Sequence, residues 1–258
     1  MLIATWNVNS IRARLDRLVA WLRRTGPDIV CLQELKVPDD DFPIEVLAAE
    51  GYNSVFHGQR TYNGVAILSR HPLADVTMGM GPGTDDPQAR LISATVQGVR
   101  IISAYFPNGQ TVGSDKWLYK LAWIARLRDH LAATYRPTDE LLLCGDYNVA
   151  PDERDVARPE EWRASVLCHD DARLALKTLS DWGLIDTMRL HDPGPGPYTW
   201  WDYRLLAFPK GNGLRIDHIF ATPSAAERTR RAWVDRDERK GKLPSDHAPV
   251  LIETDSAG

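Results

Sequence analysis

The chain has 258 residues, with hydrophobic residues at 43% and charged residues at 26%. These proportions are ordinary for a globular protein and exclude a disordered or collagen-like chain. No apolar run approaches the ~18 residues that a membrane span requires, so we expect no membrane association. The 31 Lys and Arg against 35 Asp and Glu give a formal net charge of −4, which argues against a protein that binds nucleic acid through bulk positive charge.

Short apolar, β-branched runs with turn-rich borders recur along the chain and predict strands. The predicted strands are Leu2–Trp6, Asp28–Leu32, Gly64–Leu68, Leu91–Val96, Arg100–Tyr105, Glu140–Cys144, Arg215–Ala221 and Val250–Glu253. Helical periodicity predicts three helices. They cover Ile11–Arg24, Ser114–Tyr135 and Asp170–Trp182, and Gly26-Pro27 is expected to end the first.

The segments between these elements are too short for interdomain linkers. Gly and Pro cluster at Gly79–Gly83 and Pro193–Pro197, and strands continue on both sides of each cluster. We therefore expect one domain over residues 1–258. Strands outnumber helices and often follow one another, which favours an α/β sandwich of two packed sheets with outer helices.

The cysteine pattern and the N-terminus predict a cytoplasmic protein. Cys31 and Cys144 lie inside apolar runs, where a thiol behaves as a small hydrophobe. No Cys/His cluster suggests zinc, and the first residues predict a strand with no signal peptide before it.

Polar residues collect where the predicted strands end. These positions include Asn7, Glu34, Asp146, Asn148, Asp217, Asp246 and His247. If the strand ends converge, one site holds several carboxylates, which would repel one another without a cation or a raised pKa. Carboxylate and amide oxygens are ligands that Mg²⁺ or Mn²⁺ prefers, and Mg²⁺ completes its shell with water and substrate phosphate. The composition of the site therefore suggests phosphate-ester chemistry.

Eight motifs, in order along the chain, resemble the exonuclease III family of apurinic/apyrimidinic endonucleases, within the endonuclease/exonuclease/phosphatase superfamily that is related to DNase I. They are WNVNSIRAR (Trp6–Arg14), LQELK (Leu32–Lys36), YNGVAILS (Tyr62–Ser69), YFPNG (Tyr105–Gly109), GDYNVAP (Gly145–Pro151), YTWWDYR (Tyr198–Arg204), RIDHIFAT (Arg215–Thr222) and SDHAPV (Ser245–Val250). The resemblance spans nearly the whole chain and implies a four-layer α-β-β-α sandwich with the site at one end.

The resemblance implies a Mg²⁺-dependent DNA repair hydrolase, with Mn²⁺ as a plausible substitute. Such an enzyme cleaves duplex DNA 5′ to abasic sites, repairs blocked 3′ ends and can act as a 3′→5′ exonuclease. We expect it to work as a monomer.

The resemblance also assigns roles to residues. The catalytic group is Tyr105, Asp146, Asn148, Asp217 and His247, and the metal group is Asn7, Glu34, Asp146, Asn148, Asp246 and His247. Asp146 would deprotonate the attacking water, Asn148 would stabilise the phosphorane, and His247, oriented by Asp217, would contact the phosphate. Tyr105 would act as a phenol donor or as a phenolate. The metal either sits beside Glu34 or moves to Asp146, Asn148 and His247 during the reaction, and both possibilities stay open.

Residues near the predicted loops are candidates for DNA contact. They are Lys36, Arg90, Asn108, Trp200, Trp201, Arg204 and Arg215. Arg suits bidentate phosphate contacts, and an aromatic-walled pocket at Trp200 and Trp201 would admit a flipped abasic sugar but not a normal nucleotide. The basic segment Arg228–Lys242 could be either a DNA contact or a charged edge strand.

Two other functions remain as alternatives. One is a different phosphodiesterase or phosphatase of the superfamily, acting on RNA or inositol phosphates. The other is a non-catalytic DNA-end binder, which would be expected to lack at least one catalytic residue.

Overall fold

Twelve strands make up the two sheets of the computed structural model, which describes residues 1–81 and 86–255. In chain order they are β1 (Leu2–Asn7), β2 (Ile29–Gln33), β3 (Asn53–His57), β4 (Val65–Ser69), β5 (Ala74–Met78), β6 (Leu91–Val96), β7 (Val99–Tyr105), β8 (Leu141–Asp146), β9 (Ile185–Asp186), β10 (Asp217–Ala221), β11 (Thr229–Val234) and β12 (Val250–Thr254). Sheet 1 has the order β11-β12-β1-β2-β4-β3, and sheet 2 has the order β5-β6-β7-β8-β10-β9. Part of the predicted loop Gly79–Gly83 lies outside the described residues.

The helices are α1 (Ile11–Thr25), α2 (Ile44–Ala49), α3 (Asp115–Thr134), α4 (Pro159–Trp162), α5 (Asp170–Ser180), α6 (Thr187–His191) and α7 (Pro223–Glu227). Helices α1 and α2 pack on the outer face of sheet 1, and α3 and α5 pack on the outer face of sheet 2. Helices α6 and α7 contribute buried residues to the cluster between the sheets. Three apolar clusters separate the layers: one between the sheets, one between sheet 2 and helices α3 and α5, and one between sheet 1 and helix α1. The predicted four-layer α/β sandwich is confirmed.

Helix α1 begins and ends where its sequence predicts. The Ser10 hydroxyl accepts a hydrogen bond from the Ala13 amide and caps the N-terminus. Gly26 has φ of 62° and its N–H donates to the carbonyl of Leu22, the left-handed cap that glycine adopts without a Cβ clash. Leu18, Trp21 and Leu22 are buried against sheet 1, which leaves the arginines of the helix on its outer side.

The strand pairing brings six strand ends to one end of the sandwich. Strands β1 and β2 are parallel, as are β7 and β8, so Asn7, Glu34, Tyr105 and Asp146 all lie at or just beyond carboxyl ends. Strands β10 and β12 run antiparallel to their neighbours β8 and β1, so their first residues arrive at the same end. The register pairs Asp146 with both Asp217 and Tyr105.

Three strands and four helices were absent from the sequence prediction, and a fourth strand, β11, was only one of two interpretations of its segment. The absent strands are β3, β5 and β9, and the absent helices are α2, α4, α6 and α7. Strands β3, β5, β9 and β11 all lie at sheet edges, where exposed faces carry little hydrophobic pattern. The segment Arg228–Lys242 contains β11, so its edge-strand interpretation is confirmed over Thr229–Val234. Arg230 pairs with Asp255, and the guanidinium of Arg231 lies 4.3 Å from the ring centroid of Trp233.

Candidate active site

Asn7 links the carboxylates of the two sheets. Its Nδ2 atom donates to Glu34 Oε1 and to Asp146 Oδ2, each at 2.9 Å. Its Oδ1 atom accepts the N–H of Asn9 at 2.9 Å. Asn7 therefore presents a donor to the carboxylates in this arrangement, and its predicted role as a metal ligand would require the opposite amide orientation.

Asp146 is the most strongly perturbed acid of the site. Burial is the largest cause that raises its pKa to about 7; His247 opposes the rise, whereas Asp217 and Glu34 reinforce it. Its Oδ1 atom accepts the backbone N–H of Asn148 at 2.9 Å. A carboxylate with a pKa near neutrality is suited to take a proton from water.

The side chain of Asn148 forms hydrogen bonds with three neighbouring groups. Its Nδ2 atom donates to the carbonyl of Phe106 at 3.0 Å and, over a longer 3.3 Å, to Asp146 Oδ2. Its Oδ1 atom accepts from Asn108 Nδ2 at 3.0 Å. The backbone of Asn148 has φ of 50°, a left-handed conformation that asparagine adopts more readily than most residues. These contacts fix which way the amide group faces.

His247 and Asp217 form a buried pair. The Nδ1 atom of His247 lies 3.0 and 2.8 Å from the two carboxylate oxygens of Asp217, and the Thr199 hydroxyl donates to Asp217 Oδ2 at 2.7 Å. Burial by itself would lower the pKa of His247, but Asp217, Asp146 and Asp246 raise it to about 10. The imidazole is therefore charged at neutral pH.

His247 could bind a metal only as a neutral imidazole, because a protonated ring has no lone pair to offer, and its predicted role as a metal ligand remains a prediction. Its Nε2 atom lies 3.8 Å from Asp146 Oδ2, which is too far for a direct hydrogen bond. The Nε2–H group can therefore donate to a substrate oxygen.

Tyr105 lies at the end of β7, beside the carboxylates. Burial raises the pKa of its hydroxyl well above the ordinary value, and the negative charges of Glu34 and Asp146 add to this effect, while Arg90 opposes it. The Arg90 guanidinium lies 4.8 Å from the Tyr105 ring centroid. The side chain is therefore a neutral phenol, so the donor role is favoured over the phenolate role.

Asp246 stands slightly apart from the other acids. Its two oxygens accept from Asn9 Nδ2 at 2.8 Å and from Trp200 Nε1 at 3.0 Å. Burial opposes ionisation of Asp246, but His247 and these two donors lower its pKa. Asp246 thus holds the Trp200 ring in place, and its predicted role at a metal remains a prediction.

The acids nearest one another could hold a hard cation. Ligand atoms of Glu34, Asp146 and His247 all lie within 4.8 Å of one another. Glu34 and Asp146 are the members with free oxygen lone pairs, the donor type that Mg²⁺ and Mn²⁺ take. Glu34 also pairs with Lys36 Nζ at 2.8 Å, so a cation at Glu34 would compete with Lys36. This donor set favours a metal beside Glu34 and Asp146.

Two predicted DNA contacts are wrong because the side chains are buried. Arg215 is 1% exposed, and its guanidinium binds Asp155 Oδ1 at 2.6 Å and Asp186 Oδ2 at 2.7 Å. Trp201 is 1% exposed and packs on Ala207 and Ala248. Arg215 is part of an internal ion-pair network, and Trp201 belongs to a small core.

The other candidates for DNA contact are accessible. Trp200 is partly buried, and its ring lies edge-on to Trp162 at 5.6 Å between centroids. Arg204 is exposed and pairs with Asp202. Lys36, Arg90 and Asn108 lie around Glu34 and Tyr105, and their side chains are partly or fully exposed.

Sequence reasoning missed one buried cation at the site, Lys120 of α3. It is 0% exposed and donates to the carbonyls of Asn108, Asn148 and Val166. Burial lowers the pKa of Lys120 to about 7, against the opposing effect of Asp146. The sequence feature that predicts burial of Lys120 is its position on the apolar stripe of α3, three residues after Trp117 and three before Trp123.

The fold and the site together define the class of enzyme. At one end of a two-sheet sandwich lie an aspartate with a raised pKa, an imidazole paired with a second aspartate, several amide side chains and a further carboxylate that could hold a divalent cation. This arrangement can activate water and neutralise a phosphoryl group, which are the requirements of phosphodiester hydrolysis.

The chain belongs to the endonuclease/exonuclease/phosphatase family, whose model matches residues 4–247. It is 32% identical to exodeoxyribonuclease III of Haemophilus influenzae, over 98% of this chain and 99% of the relative. A solved AP endonuclease from Archaeoglobus fulgidus is 40% identical, with a TM-score of 0.96 over 99% of each chain. A 3′ phosphatase from Neisseria, solved with a product DNA hairpin, is 42% identical, with a TM-score of 0.95 over 99% of each chain.

These matches confirm the predicted family and the predicted enzyme class, a nuclease of the exonuclease III type. The non-catalytic alternative is thereby excluded. In the described part of the chain, no helix is both long and apolar enough to cross a membrane.

Proposed function

We propose that the protein is a Mg²⁺-dependent DNA repair nuclease that removes blocking groups from 3′ ends and cleaves 5′ to abasic sites in duplex DNA, with 3′→5′ exonuclease activity. The observation that carries this proposal is the convergence of Asp146, Asn148 and the Asp217–His247 pair at one end of the sandwich. The names of the relatives support the choice of DNA as substrate. The single domain, the monomeric state and the cytoplasmic location stay predictions.

In the proposed reaction, Asp146 takes the proton of the attacking water. Its raised pKa makes it a better base than an ordinary aspartate. The bound Mg²⁺, held by Glu34 and Asp146, would supply positive charge at the phosphate. Because the metal also lowers the pKa of a carboxylate beside it, Asp146 would be ionised in the loaded enzyme at neutral pH.

Three donors are available to the phosphate oxygens. His247 offers its charged Nε2–H, Tyr105 offers its phenol O–H, and Asn148 can exchange its longer contact with Asp146 for one to a phosphoryl oxygen. Donors that are already oriented stabilise the charge that develops in the transition state without reorganisation. Asp217 keeps the His247 ring in the orientation that presents Nε2.

Two clefts beside the site are suited to hold DNA. One, of about 430 Å³, lies next to Tyr105 and contains Arg90 and Lys116. The other, of about 730 Å³, contains Arg158, Arg204 and Lys210, together with Trp162, whose ring packs against Trp200. Both contain cations that can contact backbone phosphates, and Trp200 offers an aromatic face for a flipped sugar.

An exposed apolar loop borders the second cleft. Leu205 is 85% exposed and Leu206 is 66% exposed, next to Arg204. Exposed apolar side chains among cations are suited to insertion between base steps, which unstacks DNA at a lesion. This feature supports a damaged duplex as the substrate over a small phosphate ester.

The proposal is tested with four matched duplexes: one with an internal abasic analogue, one with a 3′-phosphate at a nick, one with a recessed 3′-hydroxyl end, and one undamaged and blunt. Each is incubated with Mg²⁺ or with EDTA, beside an Asp146→Asn control. We expect Mg²⁺-dependent release of phosphate, 5′ incision at the abasic analogue and shortening of the recessed end, all abolished in the variant. If the parent protein leaves all damaged duplexes intact but hydrolyses RNA or inositol phosphates, the DNA proposal is wrong.

A further inference from the structure

Helix α3 carries a lysine on its buried face. The buried residues of α3 are Trp117, Lys120, Trp123, Ile124, Leu127 and Leu131. All except Lys120 are apolar and pack into the cluster between α3 and sheet 2. A buried ammonium group is costly unless its donors are satisfied. The hydrogen-bond partners of Lys120 must therefore offset the cost of burying its ammonium group.

The partners of Lys120 are three backbone carbonyls from three different loops. The Nζ atom donates to Asn148 at 2.7 Å, to Val166 at 2.6 Å and to Asn108 at 3.2 Å. Three acceptors match the three donors of an ammonium group. Within residues 1–81 and 86–255, no carboxylate forms an ion pair with Lys120, so the residue acts as a hydrogen-bonding centre for main chain.

Two of these loops carry amide side chains of the active site. Asn108 and Asn148 are joined by a 3.0 Å hydrogen bond between their side chains. Asn148 also has a left-handed backbone with φ of 50°, a conformation that asparagine adopts more readily than most residues. Lys120 binds the carbonyl of Asn148 itself and so fixes the position of this turn.

The space around Lys120 is closely filled. A Cβ added at Gly109 would lie 3.1 Å from Lys120 Cδ and 3.2 Å from the Trp117 ring. The loop after β7 therefore packs directly on the lysine stem. The third loop, at Val166, leads into α5, and its His169 ring lies 5.2 Å from that of Trp117. The lysine thus sits at the point where all three loops meet.

We propose that Lys120 is a positioning residue for hydrolysis: its ammonium group holds the loops of Asn108 and Asn148 in the geometry that stabilises the reacting phosphate, without contact to the substrate. The inference rests on the proposed function. It predicts that the loss of Lys120 slows the chemical step more than it weakens substrate binding, because the displaced amides stabilise the transition state.

The test compares Lys120→Met with the parent on the 3′-phosphate duplex, with Lys177→Met as the matched control. Lys177 lies exposed on α5 and pairs with Asp181, just after the end of that helix. For Lys120→Met we expect kcat to fall about 10²-fold, as for a displacement near 1 Å, with KM changed by less than about threefold. Lys120→Arg, which retains the charge and donors, is expected to recover part of kcat. A folded Lys120→Met with parental kcat would overturn the inference.

Two further measurements cover other outcomes. If Lys120→Met does not fold, Lys120→Gln replaces it, and parental kcat in that variant overturns the inference. If the parent itself cleaves no DNA, the proposed function fails separately, and side-chain amide NMR signals decide the positioning role. In that case, signals of Asn108 and Asn148 that shift in the lysine variant support the role, and unshifted signals contradict it.

Discussion

The pH dependence of activity should follow two residues whose pKa values are shifted upward. Asp146 must be ionised to accept a proton, and its pKa is raised to about 7. His247 must be protonated to donate, and its pKa is raised to about 10. At limiting metal, ionisation of Asp146 should therefore raise the rate as pH passes about 7, and deprotonation of His247 should lower it as pH passes about 10. Because the pKa of Lys120 is also lowered to about 7, loss of its ammonium charge should already limit the rise above neutral pH. The two limbs belong to the coupled group and not to single residues.

The variant Asp217→Asn tests which residues set the two limbs of the pH profile. The variant removes the charge that most strongly raises the pKa of His247, so the alkaline limb should move to lower pH. The acidic limb should also move to lower pH, because Asp217 raises the pKa of Asp146. A profile of kcat/KM against pH measures both movements. An alkaline limb that stays at its parental position would show that His247 is not the acid that limits the rate.

Lys36 should compete with the metal for Glu34. Its Nζ atom lies 2.8 Å from Glu34 Oε2, and both side chains are partly buried. Lys36→Met should therefore leave Glu34 freer to bind Mg²⁺ and lower the Mg²⁺ concentration needed for half-maximal activity several-fold. Metal titration by calorimetry measures the change directly, with Glu34→Gln as the opposite case. A higher metal requirement in Lys36→Met would mean that the lysine supports the metal site.

At the level of single residues, sequence reasoning identified the acids but not the environment of the basic and aromatic side chains. Asp146, Asp217 and His247 stand beside strand ends, where a polar residue after an apolar run is visible in the sequence. Arg215 lies just before β10 and Trp201 follows the Pro193–Pro197 loop, so both were expected at the surface, yet both are buried among protein groups. Asp155 and Asp186, the partners of Arg215, lie 60 and 29 residues away in the chain. No local pattern reveals such long-range partners.

Among the helices, the C-terminus of α1 offers a test of stability apart from function. Gly26 has φ of 62°, and a Cβ there would meet no atom within 4 Å. Gly26→Ala should therefore lower the free energy of unfolding by about 1 kcal/mol, through backbone strain alone. Thermal or urea unfolding measures this loss, and kcat should stay at the parental value. A much larger loss would indicate that the loop after α1 is packed more tightly than the structure shows.

The elements that the sequence predicts best are those with two buried faces or a strong amphipathic stripe. All residues of β2, β4, β8 and β10 are buried, and each appears as an apolar run. Strand β5 has mostly exposed residues, and β9 has only two residues. Their formation depends on pairing with β6 and β10, which is tertiary information. Edge strands therefore remain the least predictable part of this fold.

At the scale of the whole molecule, the site exists because two sheets stack in one relative position. Asn7, Glu34 and His247 belong to sheet 1 or the loops beside it, and Asp146, Asn148 and Asp217 belong to sheet 2. Their cross-sheet contacts are hydrogen bonds of 2.8–3.0 Å. The protein has a net charge of −4, and several carboxylates are clustered at this end of it. This negative charge would repel DNA unless cations surround it.

The cations around the site should make the affinity for DNA fall as the salt concentration rises. Each DNA phosphate that a cation neutralises contributes about 0.9 to the steepness of log affinity against log salt concentration. Exposed Lys210 lines the cleft beside Trp162, so Lys210→Ala should reduce the magnitude of that slope by about 1. Arg128, partly exposed on α3 and paired with Asp129, lies outside both clefts, and Arg128→Ala should leave the slope unchanged. Fluorescence anisotropy with a nicked duplex and catalytically inactive Asp146→Asn protein measures both slopes, and equal slopes in the two variants would place the DNA elsewhere on the surface.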